Sequence, residues 1–323
     1  MEVLPRVGHA LRRAFDRSVH AAAQAVYRLP SASPVRHGVR VLRDIPYLPT
    51  GRRDHLLDVY LPEGAGTSDE LRPAVLYVHG GAFCMLSKDT HRVMAMPFAK
   101  RGHVVFNINY RLGPVHTYPA PLEDAAAALS WVLDNARSFG ADPDRLILAG
   151  ESAGANLVTA LAYMATHPTG EPFARALHAR APRIKAVAPI YGLLDLHDMD
   201  RFTSRPRLPE WAKRELLTAA SSYVGKPIAA GARRHPLASP LRLFEADPPA
   251  DTRPLPPFFI ACGTADILLD DSRRLKAALE RRGAPVDLHV FPGEIHGFNA
   301  MVWRPAAKAK WRALFRFLQE AKV

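Results

Sequence analysis

The residues able to do chemistry gather around Gly150-Glu151-Ser152-Ala153-Gly154. A G-x-S-x-G pentapeptide between a strand and a helix sets a serine hydroxyl out on a sharp turn. The glycines suit a turn that brings backbones too close for a Cβ or requires positive φ. A serine hydroxyl is a poor nucleophile at neutral pH, so it needs a base, and the base needs a partner that fixes its tautomer. His296 is the candidate base. Of 14 histidines, it alone sits late in the chain in a short Gly-flanked loop, Gly293 to Gly297, beyond an apolar run ending at Phe291. Asp266, in Gly263-Thr264-Ala265-Asp266, is the candidate acid and gives the chain order Ser…Asp…His. Asp270 and Asp271 read instead as acids at the start of a helix. Attack on a carbonyl also needs donors for the developing oxyanion, each worth about 3–4 kcal/mol. His79-Gly80-Gly81-Ala82-Phe83 offers the N–H groups of Gly80 and Gly81, and the residue after the serine, Ala153, offers a third.

These groups require a sheet whose carboxyl edge collects them. Ala74–Val78 and Val104–Ile108 are nearly continuous apolar runs, as expected of strands covered on both faces; Arg145–Ala149, Ile184–Ile190, Phe258–Cys262 and Val286–Phe291 continue the series of strands. Helical patterns over 91–101, 119–139, 155–167, 272–282 and 306–321 separate or follow them. In the last, Trp311, Leu314, Phe315 and Leu318 form one stripe that should dock on the sheet. Val39–Tyr47 and His55–Leu61 alternate and predict an antiparallel pair at one edge. The β-α-β rhythm predicts a mostly parallel, doubly wound α/β sheet, with a catalytic domain formed by residues 38–192 and 257–323.

Two stretches break the rhythm. Residues 193–256 are proline-rich, show no clear strand, and read as a cap inserted over the carboxyl edge, where ligands bind in open α/β folds. Residues 6–29 read as an amphipathic helix carrying Phe15, Val19, Ala22 and Val26 on one side and arginines elsewhere. Three readings compete for residues 1–37: an arm completing the cap, a helix lying on an anionic membrane surface, or an Arg-rich transit-type segment. Arginines interrupt any secretory apolar core.

The net charge of +12 is concentrated at the ends. Residues 1–40 and 304–323 each carry +5, leaving +2 for everything between them. A nucleic-acid enzyme would line its working surface with basic residues, so no nucleic-acid partner is expected. No apolar run of 18 or more residues predicts a membrane span. Cys84 and Cys262 make no disulfide framework, which implies a reducing, cytoplasmic setting. Both read as buried structural thiols, with a reactive Cys84 as the alternative.

The chain resembles the hormone-sensitive-lipase-like family of α/β-hydrolase esterases. The resemblance is carried by His79–Phe83, Asn109-Tyr110-Arg111-Leu112, Pro119–Asp124, Asp142–Arg145 leading into the serine turn, His235–Leu241, Asp266–Asp270 and His296-Gly297-Phe298. It runs from about residue 55 to the end. It implies an eight-stranded sheet, a lid built from the amino-terminal arm and the insertion, no cofactor, and hydrolysis of short- to medium-chain acyl esters. It also implies pairing of two copies through the last strand and helix. Two departures stand out. Ala82 replaces a glycine common in the family, and Leu112-Gly113-Pro114-Val115-His116 replaces its usual Ala-Pro-Glu. The expected activity is that of a serine carboxylesterase working through an acyl-enzyme. The alternatives are an amidase or arylformamidase with the same three residues, a membrane-surface lipase, and a small-molecule receptor on the same fold, against which the presence of His296 argues.

Overall fold

Eight strands form one sheet in the order β1-β2-β4-β3-β5-β6-β7-β8. In this computed structural model, residues 3–66, 70–206 and 208–323 are described. The strands are β1 (Val39–Pro46), β2 (Leu56–Pro62), β3 (Arg72–Val78), β4 (Val104–Ile108), β5 (Ala141–Glu151), β6 (Ile184–Ile190), β7 (Phe258–Gly263) and β8 (Val286–Phe291). β2 pairs antiparallel with both β1 and β4, and every other pairing is parallel. The helices are α1 (Val3–Tyr27), α2 (Arg92–Ala99), α3 (Ala120–Asn135), α4 (Ala153–Thr166), α5 (Pro172–Arg180), α6 (Asp200–Thr203), α7 (Glu210–Val224), α8 (Ile228–Arg234), α9 (Pro240–Glu245), α10 (Leu269–Arg281) and α11 (Pro305–Glu320).

Strand alternation divides the core into two layers. Ala74, Leu76 and Val78 of β3 join Val104, Phe106, Leu146, Leu148, Phe258 and Ile260 on the face covered by α3, α4 and α10. Val75 and Tyr77 join Val105, Ile147, Ala149, Phe259 and Ala261 on the face covered by α2 and α11. Both faces are dry, which is why these strands read as unbroken apolar runs rather than as alternating ones. The stripe of α11 docks as expected through Leu314, Phe315 and Leu318.

Two motifs named by the family resemblance prove to be braces. Arg111 donates from Nε to Asp124 Oδ2 at 2.9 Å and from its terminal nitrogen to Oδ1 at 2.7 Å, a forked pair. The unusual loop after Leu112 fits α7. A Cβ at Gly113 would lie 1.8 Å from the carbonyl oxygen of Ser222, so a glycine there lets the loop and helix touch.

Residues 193–256 contain no strand among their described residues and hold the four helices α6 to α9. A buried ionic cluster ties this segment to the body. Asp271 accepts the Leu194 N–H at 2.7 Å and an Arg201 guanidinium N–H at 2.7 Å, while Asp195 accepts from Arg242 and Arg274 at 3.1 and 3.0 Å. Asp271 is therefore more than the helix-start acid its position in the sequence suggested.

At the serine turn the packing is tightest. A Cβ on Gly154 would sit 2.1 Å from the Val78 oxygen and 2.7 Å from that of His79. On helix propensity alone, Gly154→Ala would stabilise α4. The expected result is the opposite, a Tm lowered by about 3–10 °C as β3 and α4 are forced apart. Gly170→Ala, with nothing within 4 Å of its would-be Cβ, should leave Tm unchanged. A thermal melt of both variants checks the pair.

Candidate active site

β5 ends at Glu151 and α4 begins at Ala153, so Ser152 alone makes the turn. It does so at φ 54°, ψ −116°. The positive φ thus falls on the serine itself, whereas Gly150 and Gly154 serve close approach: a Cβ on Gly150 would lie 2.7 Å from the Gly154 oxygen. A non-glycine residue held there costs on the order of 1–3 kcal/mol. The Ser152 N–H donates to Ile190 O at 2.9 Å, fastening the turn to β6.

The three side chains expected to act together meet. Ser152 Oγ lies 3.0 Å from His296 Nε2, and His296 Nδ1 lies 2.9 Å from Asp266 Oδ2. The other Asp266 oxygen accepts the Leu268 N–H at 2.8 Å. The Asp266 side chain is 0% exposed and that of His296 38%, so the acid is sealed while the base opens to solvent and substrate. Tyr191 sets its ring edge-on to the imidazole at 4.9 Å. The loops carrying acid and base are stitched together. The Thr264 N–H donates to Phe291 O at 2.9 Å, the Ala265 N–H to Glu294 O at 3.0 Å, and the Gly293 N–H to Thr264 Oγ1 at 2.7 Å.

The donor set needs one correction. Gly80 does not offer its N–H to a reacting group, because that N–H donates to Glu151 Oε1 at 2.7 Å. Glycine is required at 80 for space instead, since a Cβ would stand 2.9 Å from the Glu151 carbonyl oxygen. The next two N–H groups, those of Gly81 and Ala82, donate no hydrogen bond among the described residues. Ala153 is the first residue of α4, where an N–H has no intrahelical acceptor. The loop is bent to present its backbone: φ is 119° at Gly81, 53° at Ala82 and 57° at Phe83. Phe83 is fully buried and stacks on Tyr223 of α7 at 4.1 Å, and its carbonyl accepts the Gly113 N–H at 2.8 Å.

Beneath the serine lies a buried polar layer that sequence reasoning missed. Burial pushes the Glu151 carboxyl up to about 8, against the opposing Gly80 hydrogen bond, and pushes His91 down to about 4. The two meet at 2.8 Å. His91 Nδ1–H donates to Ser87 O at 3.0 Å, so its Nε2 is the acceptor and the shared proton sits on Glu151. Burial likewise holds Lys310 well below the ordinary lysine range and His79 at about 3. His79 stacks on Tyr110 at 4.4 Å, and the Tyr110 hydroxyl donates to the His79 carbonyl at 2.9 Å. The signal for this layer was Glu151 itself, a carboxylate closing a buried, otherwise apolar strand end, Leu146–Gly150. Burial raises the Cys84 and Cys262 thiols, which argues against a reactive Cys84; Cys262 is buried as expected, whereas Cys84 is only half-buried.

A serine, an imidazole and a sealed carboxylate aligned at the carboxyl edge of a doubly wound sheet define a hydrolase-type α/β site. The alpha/beta hydrolase fold family matches residues 75–300. Esterase LipI of Mycobacterium tuberculosis is 32% identical over 292 residues, covering 89% of this chain and 83% of its own length. Carboxylesterase NlhH of the same organism is 32% identical over 255 residues, 75% of this chain and 72% of its own. The crystal structure of esterase LipW from Mycobacterium marinum superposes with a TM-score of 0.74 at 26% identity, covering 97% of this chain and 89% of that one. The chain belongs to the α/β-hydrolase fold family, in its hormone-sensitive-lipase-like branch.

Two measurements probe the buried layer. Glutamine at 151 cannot both accept from Gly80 and donate to His91 through one atom. Glu151→Gln should therefore lower kcat about 10–100-fold with KM less affected, which steady-state kinetics would read. For stability, the unfolded chain protonates His79, His91, His103 and His167 near 6.5, while burial depresses them in the fold to between about 3 and about 4. Their contribution is complete above pH 6.5 and is lost as pH falls toward 4. Glu151, raised in the fold, acts in the opposite sense between 4.5 and about 8. Asp58 and Asp271, also raised by burial, act in the same sense as Glu151. With four histidines against three carboxyls, Tm should climb from pH 4.5 to 6.5; a flat profile of melts across that range would contradict the assignment.

Proposed function

We propose that this chain, a carboxylic ester hydrolase by family and relatives, cleaves short- to medium-chain acyl esters through an acyl-enzyme on Ser152. The observation that carries the reading is the unbroken line Ser152–His296–Asp266, with contacts of 3.0 and 2.9 Å. His296 Nε2 takes the hydroxyl proton as Oγ attacks the ester carbonyl. The oxyanion is met by the N–H groups of Gly81, Ala82 and Ala153, with the dipole of α4 behind the last. His296 then hands its proton to the departing alcohol, and a water deprotonated by the same nitrogen hydrolyses the acyl-serine. Asp266 holds Nδ1–H and stabilises the imidazolium.

The acyl-length part of this reading rests on the family resemblance. Support for a cover over the site comes from two contacts. Arg12 of α1 reaches Glu215 of α7 at 3.1 Å, and α7 stacks Tyr223 on the donor loop. The amino-terminal arm and the insertion thus meet beside the loop, as two halves of a lid would.

A panel of p-nitrophenyl esters of rising acyl length tests the reading. Rates should be greatest on the shorter acyl chains and fall on long ones, with a burst of p-nitrophenol if deacylation is the slower step. Ser152→Ala and His296→Ala should each cost at least about 10⁴-fold in kcat, and Asp266→Asn about 10²–10⁴-fold. Wild-type rates in Ser152→Ala would end the assignment of the nucleophile. Faster turnover of matched amides than of esters would move the chain to the amidase alternative.

A further inference from the structure

Helix α1 meets the body with its polar side. The Asp16 carboxylate accepts the Leu86 N–H at 2.8 Å, and His20 Nε2 lies 2.8 Å from Ser87 Oγ. The Tyr27 hydroxyl donates to Thr90 O at 2.9 Å and accepts the Val93 N–H at 3.1 Å. Arg12 pairs with Glu215. Most of the apolar stripe picked out in the sequence is turned away from the body, with Val19 half-buried. Phe15 is 58% exposed, Val26 52% and Leu29, just past the helix end, 52%, and Ala22 lies exposed between them. Spacings of three, four and seven put these side chains on one face.

The neighbourhood extends the same surface. Trp211, 68% exposed, stands one turn of α7 before Glu215, the residue α1 binds. Exposed charge on the helix has one sign and lies round from Phe15 and Val26, across the exposed Ala14, Ala21 and Ala25. Arg13, Arg17 and Arg28 are exposed, and Asp16, the one acid in residues 12–40, is committed to the body. On α7, Glu210 and Glu215 are engaged by Lys213 and Arg12. An amphipathic helix with an uncovered apolar face and basic flanks has the form that lies in a lipid–water interface.

We infer that the outer face of α1, with Trp211, docks on an anionic lipid surface, the stripe entering the acyl boundary and Arg13, Arg17 and Arg28 meeting lipid phosphates. A second copy suits this face poorly. An isologous contact would set the same arginines against one another with no free acid to meet them. The inference stands apart from the esterase reading, since no residue of the site enters it.

Flotation of the full chain with vesicles tests it, using phosphatidylcholine alone or mixed with phosphatidylglycerol. The chain should float with the anionic vesicles and release as salt is raised. Combined Phe15→Ser, Val26→Ser and Leu29→Ser should weaken partition by about tenfold or more, with Tm and elution volume kept as the check on folding. Arg13→Gln, Arg17→Gln and Arg28→Gln should each cost roughly fivefold on anionic vesicles and little on neutral ones. Three outcomes overturn the inference: no flotation at low salt, flotation that survives the serine variant, or a wild-type dimer that the serine variant converts to monomer, which would give the face to a second copy.

Discussion

One backbone torsion governs this molecule's chemistry. Ser152 is held at φ 54°, a conformation that its Cβ disfavours and that persists only where the surroundings over-determine it. The surroundings here are specific. β3 and α4 approach so closely across Gly154 that no side chain fits between them, and the Ser152 N–H is taken by β6. Packing of three buried strands and a helix fully buried along its length offsets the strain. The return is a hydroxyl at the carboxyl edge, in line with an imidazole brought from the far end of the sheet by β8.

Glu151 extends that constraint to the donor loop. It precedes the serine and reaches back to the Gly80 N–H, so the turn that aims the nucleophile also fixes the start of the loop proposed to hold the oxyanion. Its protonation matters as much as its position. An ionised carboxylate beside the proposed nucleophile would repel the negative charge expected to develop there. Burial raises Glu151 to about 8, and a neutral His91 takes its proton in a hydrogen bond. With Glu151 and His91 both held toward their neutral forms, the proposed imidazolium would find its negative charge in Asp266.

Much of this was legible in the chain. The strands announced themselves because both faces are covered, and the serine, acid and histidine because each sits just beyond a strand on a Gly-bearing turn. The misreading of Gly80 has a physical source: a glycine that gives a ligand access and a glycine that gives a neighbouring chain access look identical in sequence. Only the partner of the N–H distinguishes them, and that partner lies 71 residues away. Lys310 was hidden for a related reason, because a lysine in an amphipathic helix normally reaches water and this one is 1% exposed. The helices α6 to α9 are short and held by contacts distant in sequence, such as Asp271 with Leu194, so local periodicity had little to report. For α1 the periodicity was real but did not say which face would dock.

The orientation of α1 follows from the strain in the loop beneath it. Between Gly81 and Leu86 four residues have positive φ, and a backbone bent in this way cannot pair its N–H groups in a regular ladder. Leu86, at φ 68°, is left with a donor that needs an acceptor, and an unmatched buried N–H costs about 1–3 kcal/mol. Asp16 supplies the acceptor, while Tyr27 donates to the Thr90 carbonyl and accepts the Val93 N–H, and His20 pairs with Ser87. A helix recruited to satisfy polar groups must turn its polar side inward, and one with an apolar stripe then has to present that stripe outward. The conformation that leaves the Gly81 and Ala82 N–H groups without an acceptor among the described residues and the exposed apolar ridge of α1 are thus linked consequences of one loop.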